Sequence, residues 1–267
     1  MSVPDEQVEA EARITKRRSM RLVGRPAGAD GIDASTILEG PELIGPVTEI
    51  PARSARAEPI RAKLLDAAEI LFSRWGYTGV SVRDVTDLAG TRIANVTYYF
   101  GSKQNLYIEV LKRRAGPLSD MRLRSLQLNA EMASSDEAFV RAWVDAYVDP
   151  AVKLLESGDP GWDHYLKLIA QVAYSRLWPN AFRTYYNDAA EGFMRVLQQR
   201  FPKASAEIIQ HAFLMLTASS MYTLARTGRA ETFSKPAFSS DDIALLGPMT
   251  KRYIVDGLLG FLGANAE

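Results

Sequence analysis

The sequence predicts an all-α protein, and three observations carry that expectation. Apolar residues recur at spacings of three and four over most of the chain from Pro59 onward. No stretch alternates with a period of two for long enough to make a strand. Ser, Asp, Gly and Pro stand at the ends of the periodic runs, where helices start and stop. The expected order is an extension over residues 1–57, a three-helix helix-turn-helix unit over 58–116, and a larger all-helical domain over 117–267.

Residues 1–57 are expected to be disordered. Pro4, Pro26, Pro41, Pro46 and Pro51 alternate with Gly24, Gly28, Gly31, Gly40 and Gly45, and no helical or strand period persists. Arg13, Lys16, Arg17, Arg18, Arg21 and Arg25 form a basic run without an acid. Such a run is either a solvated tail or an arm that follows DNA.

The first helix is expected from Pro59 to Trp75. Leu64, Ala67, Ala68, Leu71, Phe72 and Trp75 make its apolar stripe, Pro59 suits its first turn, and Gly76 ends it. Ser81 is a good N-cap for the second, with Asp84 three residues on to complete a capping box. Val82, Val85 and Leu88 follow at helical spacing, and Gly90 stops the helix. The third is expected from Arg92 to Tyr99, with Ile93 and Val96 or Phe100 as its buried side. Two short helices about a tight glycine turn make a helix-turn-helix, whose second helix is the one that enters a DNA major groove.

The residues left on the outer face suit DNA. Asn95 matches an adenine edge and the Thr97 methyl a thymine methyl. Arg83, Arg92, Tyr98 and Tyr99 are within reach of phosphates or bases. Lys103 follows Ser102, the expected cap of the next helix, and makes a phosphate anchor there.

The run LLDAAEILFSRWGYTGVSVRDVTDLAGTRIANVTYYFGSKQNLYIEVL resembles the N-terminal DNA-binding region of TetR-family regulators, over about Arg61 to Arg114. It departs from the family pattern at Tyr99, where His is common, and at Thr97, where Tyr is common. The resemblance implies a dimeric DNA-binding regulator whose second domain takes an effector and whose final two helices bundle with a partner chain. ANVTYYFGSKQNLY also resembles relatives that respond to lipids or acyl thioesters.

A fourth helix is expected from Ser102, with Leu106, Val110 and Leu111 inward, and Gly116-Pro117 is expected to break or kink it. The apolar pattern resumes at Leu118. Further helices fit Asp136–Leu155 (kinked or split at Pro150), His164–Tyr174, Ala181–Phe201, Ser205–Thr227 and Ser240–Leu262, with loops at Ser157–Gly161 and Arg229–Ser239. Trp143, Tyr147, Phe182 and Tyr186 are candidate pocket aromatics, and His164, Lys167, Gln171 and Arg176 candidate polar partners for an effector. Arg176 or Lys167 would meet an anionic end. Ala212, Leu216, Ser219 and Tyr222 on one late helix, and Ile254, Leu258 and Phe261 on the last, are the candidate dimer interface.

Composition removes whole classes of function. The chain of 267 residues is 47% hydrophobic and 24% charged, with 32 basic and 32 acidic residues. Between Glu58 and Gly116, nine Lys/Arg stand against six Asp/Glu, and a DNA reader needs such a local excess rather than a positive total. Cysteine is absent, which excludes disulfides, thiolate catalysis and Cys-ligated zinc. No apolar run reaches a membrane span and no secretory signal opens the chain, so a cytoplasmic location is expected. Only His164 and His211 are available as histidines, and no nucleophile elbow or phosphate-cradling glycine loop occurs. The expected function is therefore that of a regulator and not an enzyme, with no cofactor and no metal. It is a repressor released from a palindromic double-stranded operator by a small, largely apolar or amphipathic effector. A transcriptional activator, or an effector-independent DNA-binding protein, is the alternative.

Overall fold

The computed structural model describes residues 9–10, 12–16, 58–130, 133–173, 179–234 and 238–263. Their regular structure is helical, and no strand occurs among them. The helices are α1 (Glu58–Trp75), α2 (Val82–Leu88), α3 (Ile93–Phe100), α4 (Lys103–Ala130) and α5 (Asp136–Glu156), then α6 (Pro160–Ala173), α7 (Pro179–Arg200), α8 (Ala206–Leu224), α9 (Arg229–Ser234) and α10 (Ile243–Gly263). The chain divides between Val110 and Leu111 into two compact units. In the N-terminal extension, residues 9–10 and 12–16 are helical, Arg13 pairs with Glu9, and Ile14 is buried. That short turn departs from the disorder expected there; the rest of the extension lies outside the described residues.

In the first unit, α1, α2 and α3 pack on one another, and Leu64, Ala68, Leu71 and Phe72 of α1, Val85 and Leu88 of α2, Val96 and Phe100 of α3, and Leu106 and Val110 of α4 are all buried. Phe72 and Tyr77 each meet the Tyr107 ring edge-on, at 4.8 and 5.2 Å between centroids. Burial pushes the Tyr107 phenol far above its ordinary range, so it stays neutral. Arg61 pairs with Glu109 and lies over the Phe100 ring, tying α1 to α4.

The second unit is organised around a cluster in which Val140, Trp143, Val144 and Tyr147 of α5 pack with Phe193 and Leu197 of α7, Ala212 and Leu216 of α8, and Ile254, Leu258 and Leu262 of α10. The Trp143 indole donates to the Phe193 carbonyl at 3.0 Å, which satisfies the one polar atom of a fully buried ring. Lys251 of α10 reaches both Asp145 and Asp149 of α5, at 2.8 and 2.7 Å.

Four helix boundaries differ from the sequence expectation, each for a local reason. α4 runs through Gly116-Pro117 without a break. Both residues are exposed, so the carbonyl that loses its donor can meet water, and Gly116 has no Cβ for the proline ring to strike. α6 begins at Pro160, because Asp159 accepts from the Gly161 N–H at 2.9 Å and proline costs little in a first turn. The expected loop after Gly228 contains α9, whose Glu231 takes the N–H and hydroxyl of Ser240. With Ser240 so engaged, Asp242 caps α10, accepting from the Leu245 N–H at 3.0 Å. Pro150 and Pro248 lie inside continuous helices.

Candidate functional site

The helix-turn-helix forms as its sequence dictates. Ser81 Oγ accepts from the Asp84 N–H at 3.1 Å, and Asp84 accepts from the Ser81 N–H at 2.9 Å, a complete capping box. Gly90 closes the turn at φ 61°, a conformation that a side chain would strain. α3 follows, with Val96 and Phe100 turned into the core.

Its outward face carries Arg92, Ile93, Ala94, Thr97 and Tyr98, all exposed, flanked by half-buried Asn95 and Tyr99. Two details revise the sequence expectation. Ile93, expected on the buried side, is 53% exposed. Core contact at α3 begins one turn later, at Val96, so Ile93 and Thr97 share the outer face at i, i+4 spacing. Asn95 donates its Nδ2 to the Thr91 hydroxyl, which orients the amide along the turn. Tyr98 and Tyr99 meet edge-on at 4.9 Å, Tyr98 outermost at 52% exposure. Arg83 of α2 is exposed beside them in sequence order. Lys103 opens α4 after Ser102, whose Oγ caps the Asn105 N–H at 3.1 Å. Its ammonium sits 4.1 Å from the centre of the Tyr77 ring, which fixes where the charge is presented.

The second unit contains a cavity of about 370 Å³. α4 contributes Arg122, α5 Tyr147, α7 Tyr186 and Asn187, and α8 Phe213 and Met221, among other small and apolar residues. A smaller void beside it shares Arg122, Tyr186 and Met221. The Arg122 Nε donates to the Tyr147 carbonyl at 2.9 Å, and its guanidinium lies 3.6 Å from the centre of the Tyr147 ring. The Tyr186 and Tyr165 hydroxyls are 2.6 Å apart. Burial holds the Tyr186 phenol well above its ordinary range, an effect its neighbour Tyr165 strengthens and Arg122 opposes more weakly.

Of the residues expected to hold an effector, Tyr147 and Tyr186 line this cavity. Trp143 does not: it is wholly buried between Phe193 and Phe213, where its size is used for packing. Lys167 is drawn instead to Asp163, at 2.9 Å, and His164 and exposed Gln171 are also absent from the lining. Arg176 and the Phe182 side chain lie outside the described residues. Arg122, which also lines the cavity, is not among the residues expected from sequence. Its signal was spacing: Leu118, Arg122 and Leu126 lie four apart, and all three are buried.

The expected interface residues separate into two groups. Ala212, Leu216, Ile254 and Leu258 are buried in the core of their own unit. Ser219 and Phe261 are half-buried and Tyr222 is 45% exposed. The outer faces of the same helices present other apolar residues, Leu214 and Met215 on α8 and Leu245, Met249 and Tyr253 on α10.

No helix among the described residues is long and apolar enough to cross a membrane. Comparison with known proteins matches residues 64–110 to the family described as bacterial regulatory proteins, tetR family, and residues 145–256 to the one described as tetracyclin repressor-like, C-terminal domain. The HTH-type transcriptional repressor NicS of Pseudomonas putida is 38% identical over 60 residues, which are 22% of this chain and 28% of NicS. The HTH-type transcriptional regulator RutR of Escherichia coli is 36% identical over 69 residues, 26% of this chain and 32% of RutR. The chain therefore aligns with less than a third of either relative's length. Among solved structures, the hemolysin II transcriptional regulator HlyIIR is similar with a TM-score of 0.48 and 18% identity, over 79% of this chain and 99% of that one.

Proposed function

Because the chain belongs to the TetR family of bacterial regulatory proteins, whose matching relatives are regulators and not enzymes, we propose that it binds double-stranded DNA as a homodimer and represses transcription from a palindromic operator. A small, largely apolar effector in the cavity of the second unit releases it. One observation carries the DNA half of this reading. α3 turns two residues into the core and leaves Arg92, Ile93, Ala94, Thr97 and Tyr98 on the solvent side of a helix held by a capped, glycine-closed turn. That face offers methyl groups to thymine and a cation and phenol to phosphate and base edges.

The cavity supports the effector half. Its volume is within the range of small-molecule sites, and its lining is aromatic and aliphatic with few polar groups. Release is a matter of differential affinity: the effector favours the state that binds DNA less well, with a coupling of about 1–3 kcal/mol. The cell compartment that this activity requires is the cytoplasm, where the operator is.

Selection of full-length protein on a randomised duplex pool tests the reading. The expected result is enrichment of an inverted repeat whose binding weakens as salt rises. A pool that shows no enrichment, with no salt-dependent binding to any duplex, overturns it.

A further inference from the structure

Among the described residues, Arg122 is a cation without a counter-ion. It is 8% exposed, its Nε is used by the Tyr147 carbonyl, and its terminal nitrogens have no hydrogen-bond partner among the described residues. No carboxylate stands in ion-pair range of it there, and neither the main cavity nor the void beside it is lined by an acid. The other well-buried guanidinium of this unit shows what is missing. Arg114, equally buried, has Asp159 at 2.7 Å and the Trp162 ring at 4.7 Å. Arg122 has the matching aromatic ring, Tyr147, and no acid among the described residues.

The Arg122 guanidinium borders the cavity, and a cation so little exposed to bulk water is stabilised by an anion that enters beside it. Its planar fork suits a two-oxygen anion. Beyond it, Phe213, Leu214, Ala218 and Met221 continue the cavity as apolar wall.

We infer that Arg122 is the anion anchor of the cavity and that the effector is an amphiphile bearing one carboxylate or similar monoanion, its apolar body lying along α8. This rests on the effector reading above and gives it a chemical class. Tyr186, held neutral, offers a hydroxyl beside the anion and cannot compete with it as a second negative charge. Asn187 supplies a further amide at the lining.

The test uses the full chain and four probes: decanoate and 2-naphthoate, each with its methyl ester, with decyltrimethylammonium and inorganic phosphate as controls. Binding is read by melting shift and by titration. At least one carboxylate is expected to bind about tenfold or more tightly than its ester, since a hydrogen bond to a charged partner is worth that much. The cation is expected not to bind. Arg122→Gln is expected to erase the preference for carboxylate over ester. Because that variant also loses the Tyr147 contacts and need not fold, the wild-type series decides by itself. Ester and carboxylate binding equally, or the cation binding best, overturns the anion anchor and leaves the effector reading standing. Phosphate shifting the melt as far as the carboxylates shows a free-anion site and overturns the amphiphile. If no probe binds, the anchor falls. Loss of operator binding in a screen of uncharged compounds would then show that the effector reading survives it.

Discussion

Ile93 keeps about half of a β-branched side chain in water at the first turn of α3, forgoing roughly half of the about 1.5–3 kcal/mol that full burial gives. A thymine methyl is a cover of the right kind. Uracil in place of thymine, one position at a time in the selected operator, is expected to weaken wild-type binding severalfold at the contacted step. Ile93→Ala should bind the two bases alike; an unchanged thymine preference would assign that contact elsewhere. Lys103→Ala is expected to act differently, weakening binding to every sequence and lowering the slope of log affinity against log salt by about one. At this scale the sequence was most legible where the interaction is local. The Ser81–Asp84 box spans three residues and could be read directly, while the Asn95–Thr91 bond depends on how the turn orients both side chains. Arg122 was harder, because a lone cation in an apolar row reads as a surface residue until the partner helices are in place.

The helices carry their own tests. Removing half the capping box with Ser81→Ala is expected to cost about 1 kcal/mol of stability, measured by urea unfolding, and to weaken operator binding with it. The ion pairs of the second unit set its pH profile. Burial raises the Asp163 carboxyl, but bonds from Lys167 and Arg226 outweigh burial and hold it below its ordinary 3.8. Its contribution is complete above that value and lost as pH falls through the lower folded one. Lys251 mirrors it: burial lowers its ammonium, and bonds to Asp145 and Asp149 more than restore it, above 10.5. That contribution is complete below 10.5 and lost as pH rises through the higher folded value. Asp163→Asn is therefore expected to flatten the acid flank of the stability curve, and Lys251→Met the alkaline flank. Helix interiors were legible because periodicity repeats over many residues. The starts of α6 and α10 were not, because Asp159 and Asp242 compete with nearby serines and prolines as caps, and packing decides among them.

For the molecule as a whole, the dimer makes the sharpest expectation. Sedimentation at micromolar concentration should give twice 29.6 kDa. Met215→Glu with Tyr253→Asp, both at exposed positions on α8 and α10, should yield a folded monomer. Leu216→Asp should instead unfold the unit, since Leu216 is wholly buried in it. A dimer that survives the exposed pair would move the interface off these helices. The all-helical class and the helix-turn-helix were open to reading from pattern alone. Which apolar residues of α8 and α10 face inward was not: both helices are apolar on more than one face, and periodicity cannot rank two apolar sides. The core took Ala212, Leu216, Ile254 and Leu258 and left Leu214, Met215, Met249 and Tyr253 outside.

Lys251 and Asp149 are 102 positions apart in the chain, and the helices that carry them, α10 and α5, share the most extensive helix-to-helix packing among the described elements. On the ribosome that separation becomes a delay. At about 5–20 residues per second, α5 waits roughly 5–20 s for its partner to be made. The first unit, whose pairings are short in sequence, has time to close in that interval. Val140, Val144 and Val148 of α5 do not, and a nascent chain carrying them uncovered is the form of this protein most in need of a chaperone.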